Sequence, residues 1–316
     1  MRLCVFICLL FTGLAAAQEY PSRQVTIVAS TGAGSASDMI GRILAPRLQQ
    51  RFGRPVIVEN RTGASGNIGV ASVVKSPPDG HTLLIAPSTI TITPWLVKDL
   101  GWDPSRDLDA VARVAVVSMA LTVHSAVPAQ DAREFIALAK QRPGALNYGT
   151  PGAGTPQHLG MELFKQATGT SLTHVPYKNL PGAVTDVLGA RVDGGFFAVQ
   201  SVLAHAKAGK LRLLATTGER RTPWTPDVPT LQEQGVSGAD VESWIGLFAP
   251  QGTPAAIVNR LHQEVSVLLS SPDVAETLFQ GGVQVGLASP AELRELVRSE
   301  LERYKRIVAA AGLRAD

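Results

Sequence analysis

The stretch Val25-Thr26-Ile27-Val28-Ala29-Ser30-Thr31-Gly32-Ala33-Gly34-Ser35-Ala36-Ser37-Asp38 decides how the chain folds. Its β-branched start predicts a strand and its small residues a turn. A helix is expected from Met39 to Phe52, because Ile40, Ile43, Leu44, Leu48 and Phe52 recur at three- and four-residue spacing and Gly53 ends the pattern. Glycines let the main chain of the turn approach a ligand, Ser37 or Asp38 caps the helix, and the free amides of a helix start favour negative charge. The bland alternative is a turn made small for tight packing. A dinucleotide fingerprint is absent, since Ser37 stands where its third glycine would fall, and no Gly-Lys-Ser/Thr follows the turn.

Outward from this stretch, short β-branched runs alternate with amphipathic segments. Strands are expected at Val56–Val58 and Thr82–Ile85, with a helix at Asn67–Lys75. A second round begins at Val111–Val117 and Leu121–Val123 and proceeds through a helix at Ala132–Gln141 to a strand at Leu146–Gly149. There the chain reads Gly149-Thr150-Pro151-Gly152-Ala153-Gly154-Thr155-Pro156-Gln157-His158. Thr155 suits an N-cap and Pro156 the first helical position, so a helix begins at this second small-residue turn. Alternating helices and strands continue to Leu211–Thr216. After an extended segment at Val241–Phe248 the tail is helical at Pro254–Ser270, Pro272–Gln280 and Pro290–Ala311.

Such alternation defines an α/β chain with mostly parallel sheets flanked by helices. A hydrophobic content of 45% with only 5% aromatics fits cores of Val, Leu, Ile and Ala. Nearly 300 residues exceed one usual core, and residues 18–119 alone make a small lobe. We therefore expect lobe 1 to comprise 18–119 plus 244–316 and lobe 2 to comprise 120–243. The crossings then fall near 118–122 and 241–246, where a few extended residues absorb rigid-body closure. Two small-residue turns, one per lobe and each entering a helix, then face a shared cleft beyond the carboxyl ends of the strands. The turns at Thr62–Asn67 and Pro87–Thr91 add hydroxyl and amide donors or serve only as caps. His158 either donates to a bound carboxylate or bonds a neighbouring loop.

Met1-Arg2-Leu3, the apolar run Cys4–Leu14 and Ala15-Ala16-Ala17 have the pattern of a signal peptide, 1–17, cleaved after Ala17. Arg2 and both cysteines, Cys4 and Cys8, lie within it, leaving 28 basic and 26 acidic residues and no thiol. Charges are interspersed, so no nucleic-acid partner is expected. No nucleophile elbow or His-x-x-x-His pair occurs, and neither catalysis nor a metal or other cofactor is expected; a hydrolase pairing Ser35 with His158 is the minor alternative.

A family resemblance rests on ordered motifs along the whole mature chain. They include Tyr20-Pro21-Ser22, the turn ending at Asp38, Val58-Glu59-Asn60-Arg61-Thr62-Gly63-Ala64-Ser65-Gly66-Asn67-Ile68-Gly69 and Pro78-Asp79-Gly80-His81-Thr82. Leu146-Asn147-Tyr148, Gly154-Thr155-Pro156-Gln157-His158-Leu159, His174-Val175-Pro176-Tyr177-Lys178, Pro226-Asp227-Val228-Pro229-Thr230 and Trp244-Ile245-Gly246-Leu247-Phe248 continue the series. The chain thereby resembles the Bug family of periplasmic solute receptors, the binding components of tripartite tricarboxylate transporters. That resemblance implies a type II periplasmic-binding-protein-like fold with two hinge crossings. It also implies a monomer in the periplasm, a small carboxylate or related metabolite as ligand, and the permease subunits of a tripartite transporter as membrane partner. A membrane kinase is the alternative partner. The implied ligand residues are Ser30, Thr31, Gly34 and Ser35, with Asp38 closing the turn; Gly152, Ala153, Thr155 and His158 in the second turn, which begins at Thr150; and Ser88 and Ala198 lining the cleft. Two departures stand out: the usual proline-rich first turn is here Ala29-Ser30-Thr31-Gly32-Ala33, and Ala198 occupies a position where the family often has aspartate. The second departure removes an acceptor for an ammonium group and disfavours an amino-acid ligand.

Overall fold

The structure is a computed structural model that describes residues 20–152, 155–218, 220–239 and 243–311. The expected signal peptide lies outside the described residues.

Among the described residues eleven strands form two sheets. The first contains β1 (Val25–Ala29), β2 (Val56–Asn60), β3 (Thr82–Pro87), β4 (Leu108–Val117), β10 (Ser243–Pro250) and β11 (Gln284–Ala288), in the order β11-β4-β10-β3-β1-β2. The second contains β5 (Met119–His124), β6 (Asn147–Thr150), β7 (Thr173–Pro176), β8 (Gly194–Ala198) and β9 (Leu211–Thr216), in the order β7-β6-β8-β5-β9. Each sheet is mixed. Three strands in second-first-third order are parallel, β2-β1-β3 and β7-β6-β8, as the alternating sequence pattern requires. Beside each third strand runs an antiparallel neighbour, β10 on β3 and β5 on β8. These neighbours arrive from the opposite lobe: β4 leads into β5 through the single residue Ser118, and β10 follows the last described segment of the second lobe. A strand that enters from across the seam runs against the strands that point toward it, which explains the mixed sheets.

The helices are α1 (Ala36–Phe52), α2 (Asn67–Val74), α3 (Thr89–Leu96), α4 (Pro104–Asp107), α5 (Ala132–Gln141), α6 (Pro156–Thr168), α7 (Leu180–Leu188), α8 (Val199–Lys207), α9 (Ala255–Leu269), α10 (Pro272–Gln280) and α11 (Pro290–Ala311). Period-two side-chain alternation sends neighbouring residues to opposite faces. Ile27 joins the core under α1, α9 and α10, whereas Val28 joins the core under α2 and α11. In the second sheet Phe196 packs with α5 and α6, and Phe197 with α7 and α8.

Helix α11 serves both lobes. Leu293, Val297 and Leu301 pack on the first sheet, while Tyr304, Ile307 and Val308 pack into the second lobe's core with Leu159 and Leu163 of α6. At 22 residues it is about 33 Å long, enough to lie across the seam. Residues 304–308 are thus part of the second lobe's packing, although their place in the chain groups them with the first. Ile92 of α3 joins the same core.

Three helices, α5, α10 and α11, have the bounds that the sequence predicts, and α6 begins at the predicted Pro156. Their starts are chemically explicit: Asp131 accepts from the Glu134 amide, and Pro156, Pro272 and Pro290 occupy first helical positions. Three elements were not legible, among them the single turn α4. Helix α3 reads Thr-Ile-Thr-Ile-Thr-Pro-Trp-Leu, an alternation that favours a strand or turn, yet Ile90 and Ile92 reach different cores from helical backbone. Strand β11 is short and carries Gly286, so its pattern is weak.

Candidate functional site

The pairing registers place four strand ends around the hinge. Pro87 of β3 pairs with Ile245 of β10, and Ala198 of β8 pairs with Met119, the residue after Ser118. The Val199 amide donates to Ser118 O at 2.9 Å, and the Ser88 amide to Trp244 O at 2.8 Å. Strand β1 lies beside β3 with Ala29 opposite Ile85, and β6 lies beside β8. Each of these four parallel strands leads directly, or through a short turn, into a helix start: α1 and α3 from the first lobe, α6 and α8 from the second. The strand ends supply the small-residue turns, and the helix starts supply unpaired main-chain donors.

The first turn is shaped by Asp38. Its carboxylate accepts from the Gly34 amide at 2.9 Å, from Nδ2 of Asn60 at 2.9 Å and from Nε of Arg42 at 2.9 Å. Burial opposes the charged form, but these donors together outweigh it and hold the carboxyl below its usual range. Ser35 accepts from the Asp38 amide at 3.3 Å and lies 2.6 Å from the Thr31 hydroxyl. Ser35 is therefore the N-cap, and Asp38 reaches back past it in a capping-box manner. Asn60 also donates to Thr31 O at 3.1 Å, which fixes the turn to the end of β2. These contacts leave the Ala36 and Ser37 amides as the orphan donors of the first helical turn.

The second turn has the same logic with different residues. Thr155 is the N-cap of α6; its hydroxyl donates to Gly152 O at 2.9 Å and accepts from the His158 amide at 3.3 Å. Thr150 Oγ1 lies 2.7 Å from Nε2 of His174 and 3.2 Å from the Gly152 amide. The hydroxyls of Ser35 and Thr155 are thus occupied in shaping their own turns. Ala153 lies outside the described residues.

Beneath this turn His158 and His174 stack at 4.0 Å between ring centroids, and Tyr148 stacks on His174 at 5.0 Å. Glu162 accepts from Tyr148 at 2.5 Å and from Lys165 at 2.7 Å. Burial, assisted by the neighbouring His174, pushes the His158 imidazole down to about 4. Unfolded histidine takes its proton near pH 6.5, so between about 6.5 and 4 the unfolded chain binds a proton that the folded chain refuses. Stability is accordingly complete above this window and declines by up to about 3 kcal/mol as pH falls through it. Urea unfolding at pH 7.5 and pH 4.5 measures the decline, and the His158→Gln variant is expected to show a shallower one.

Ser88 differs from the other hydroxyls. It is fully buried at the end of β3, and its Oγ has no hydrogen-bond partner. A buried hydroxyl without a partner costs about 1–3 kcal/mol, a cost that Thr216 and Thr225 also carry. Ala198 at the corresponding end of β8 is half-buried and offers only main chain. Neither turn, over residues 30–38 or 150–158, contains arginine or lysine, so an anion here is met by dipoles and amides. Four residues that shape the turns carried no assigned role in the sequence reading: Arg42, Asn60, Tyr148 and His174. Asn60, Tyr148 and His174 stand within the quoted motifs, and that was their signal.

This combination, two α/β lobes joined by crossing strands with strand ends beside the crossings leading into helix starts, is that of a two-lobed solute-binding protein. The chain belongs to the tripartite tricarboxylate transporter family of receptors, which matches residues 40–313. It is 32% identical over 298 residues to the BugT protein of Bordetella pertussis, covering 94% of this chain and 91% of that one. An R. palustris structure with adipate is similar at 35% identity and a TM-score of 0.80, covering 94% of this chain and 99% of the other. MatC from Rhodopseudomonas palustris with bound malate is similar at 29% identity and a TM-score of 0.76, covering 92% and 100%.

Proposed function

We propose that the chain is exported, loses residues 1–17, and as a monomer in the periplasm closes its lobes over a small carboxylate that it delivers to the membrane subunits of a tripartite transporter. Lobe 1 (18–119 plus 244–316) and lobe 2 (120–243) are the bodies that move, with α11 bridging them. What supports this reading is that strand ends beside the crossings lead into helix starts in both lobes, with the buried Ser88 hydroxyl unpartnered at one of them.

The ligand carboxylate is met by the first-turn amides of α1 and α6 and by Ser88. The main chain of Ser30, Thr31, Gly34, Gly152 and Thr155 forms the walls. Asp38, Ser35, Thr150 and His158 hold those walls in shape. Adipate and malate, present in two related structures, carry carboxylates and no amino group. That chemistry suits a cleft in which Ala198 provides no side-chain acceptor for an ammonium ion. A charge-assisted hydrogen bond contributes about 1.5–3 kcal/mol, so three or four suffice for micromolar binding after ordering costs.

Calorimetric titration with four- to six-carbon dicarboxylates tests the reading. The wild type is expected to bind at least one of them at one per chain. Ser88→Ala is expected to weaken that binding about tenfold while leaving the ligand-free protein as stable or about 1 kcal/mol more stable, since an unpartnered buried hydroxyl is removed. Absence of binding across the series, or undiminished affinity in Ser88→Ala, contradicts it.

A further inference from the structure

A cavity of about 880 Å³ opens beside the crossing strands, and its described lining includes none of residues 30–38, 88, 150–158 and 198. Its walls come from both lobes: Arg113 and Trp244 from the first sheet, Ser118 at the crossing, and Thr217, Gly218 and Arg220–Pro223 after β9, with α11 along one side. Five arginines line it, namely Arg113, Arg220, Arg221, Arg303 and Arg306, against Glu300 as the one acidic side chain among the described lining residues. Arg221 is paired with Glu233 at 2.9 Å. Arg220 and Arg306 are exposed and make no ion pair among the described residues, so two full charges converge on the cavity from different elements. The segment carrying Arg220 is fixed to the first lobe by Trp224, which stacks on Phe279 of α10 at 4.7 Å. This arginine wall is therefore held in place.

We infer that this cavity is a binding site for a small polyanion bearing phosphate or carboxylate groups, separate from the cleft at the helix starts. Guanidinium forks suit such oxyanions because each presents paired donors to two oxygens. The volume accommodates a metabolite-sized molecule and lies within the usual range of small-molecule sites. Because the walls belong to both lobes, an occupant contacts each of the bodies whose relative orientation changes on closure.

Calorimetry with inorganic pyrophosphate and, separately, with tricarballylate tests the assignment and distinguishes phosphate from carboxylate preference. The wild type is expected to bind at least one of the two at one per chain, with affinity falling as salt rises. The double variant Arg220→Ser/Arg306→Ser, confined to exposed side chains, is expected to weaken binding tenfold or more. Lys140→Ser/Lys207→Ser removes the same charge from exposed positions outside the cavity and is expected to leave it within twofold, as is Ser88→Ala in the front cleft. The inference is overturned if neither probe binds, if the arginine pair is dispensable, or if the lysine pair weakens binding equally.

Discussion

Replacing Asp38 with alanine is expected to cost about 3 kcal/mol of stability and to lower carboxylate affinity at least tenfold, the largest combined effect of any single substitution in the turns. The carboxylate is 5% exposed and accepts three bonds, from the Gly34 amide, Asn60 and Arg42. Arg42 is 55% exposed and regains water when its partner is lost, so the cost falls at the low end of what breaking a buried ion pair brings. Gly34 and Asn60 are less fortunate. Without Asp38 the left-handed Gly34 loses the bond that orients the turn, and Asn60 keeps its bond to Thr31 O and the one its Oδ1 accepts from Arg42. Asp38→Asn keeps the size and one acceptor oxygen and is expected to show roughly half the stability loss. Urea unfolding gives the stability difference, and titration with the dicarboxylate bound best by the wild type gives the affinity. An alanine variant as stable and as tight as the wild type would remove Asp38 from the account.

Gly69→Ala is the second large effect, and it acts through packing. A Cβ at Gly69 would sit 2.6 Å from Arg61 O and 2.9 Å from Ser30 Cα, both main-chain atoms that no rotamer change can move aside. Helix α2 thus uses its missing side chain to press against the start of the first turn, where Ser30 is only 3% exposed. Overpacking of this kind costs about 1–3 kcal/mol. Since the displaced atoms belong to the ligand turn, affinity is expected to fall with stability, at least tenfold. Gly53→Ala is the contrast: it burdens a left-handed glycine, but nothing lies within 4 Å of its Cβ, so stability should drop by about 1 kcal/mol with affinity unchanged. Equal affinity losses in the two variants would show that general destabilisation, and not the contact with Ser30, governs binding.

The legible parts of the molecule were those where local chemistry and tertiary structure agree. Thr155 with Pro156 announces a helix start and α6 begins there, whereas the first helix, expected from Met39 with Ser37 or Asp38 as cap, is capped by Ser35 and begins at Ala36 because Asp38 reaches back to the Gly34 amide. The parallel blocks followed from β-branched runs separated by amphipathic helices. What escaped was set by contacts distant in sequence. Asn60 became a support of the first turn only because β2 ends beside β1, 22 residues from Asp38. His174 stacks on His158 because β7 adjoins β6, a pairing that no local pattern encodes. Thr155 is the instructive case among the chosen residues: the cap was readable, but the cap also uses up the hydroxyl, which shifts its contribution from direct contact to the shape of the turn. Ser88 shows the converse, since a serine after a strand reads as a routine cap and only burial without a partner sets it apart.

Closure is the claim on which the rest depends, and small-angle X-ray scattering of the mature chain with and without a saturating dicarboxylate tests it most directly. The account predicts a smaller radius of gyration at full occupancy, with a midpoint that matches calorimetry. One ligand bound per chain with superimposable scattering profiles would contradict it.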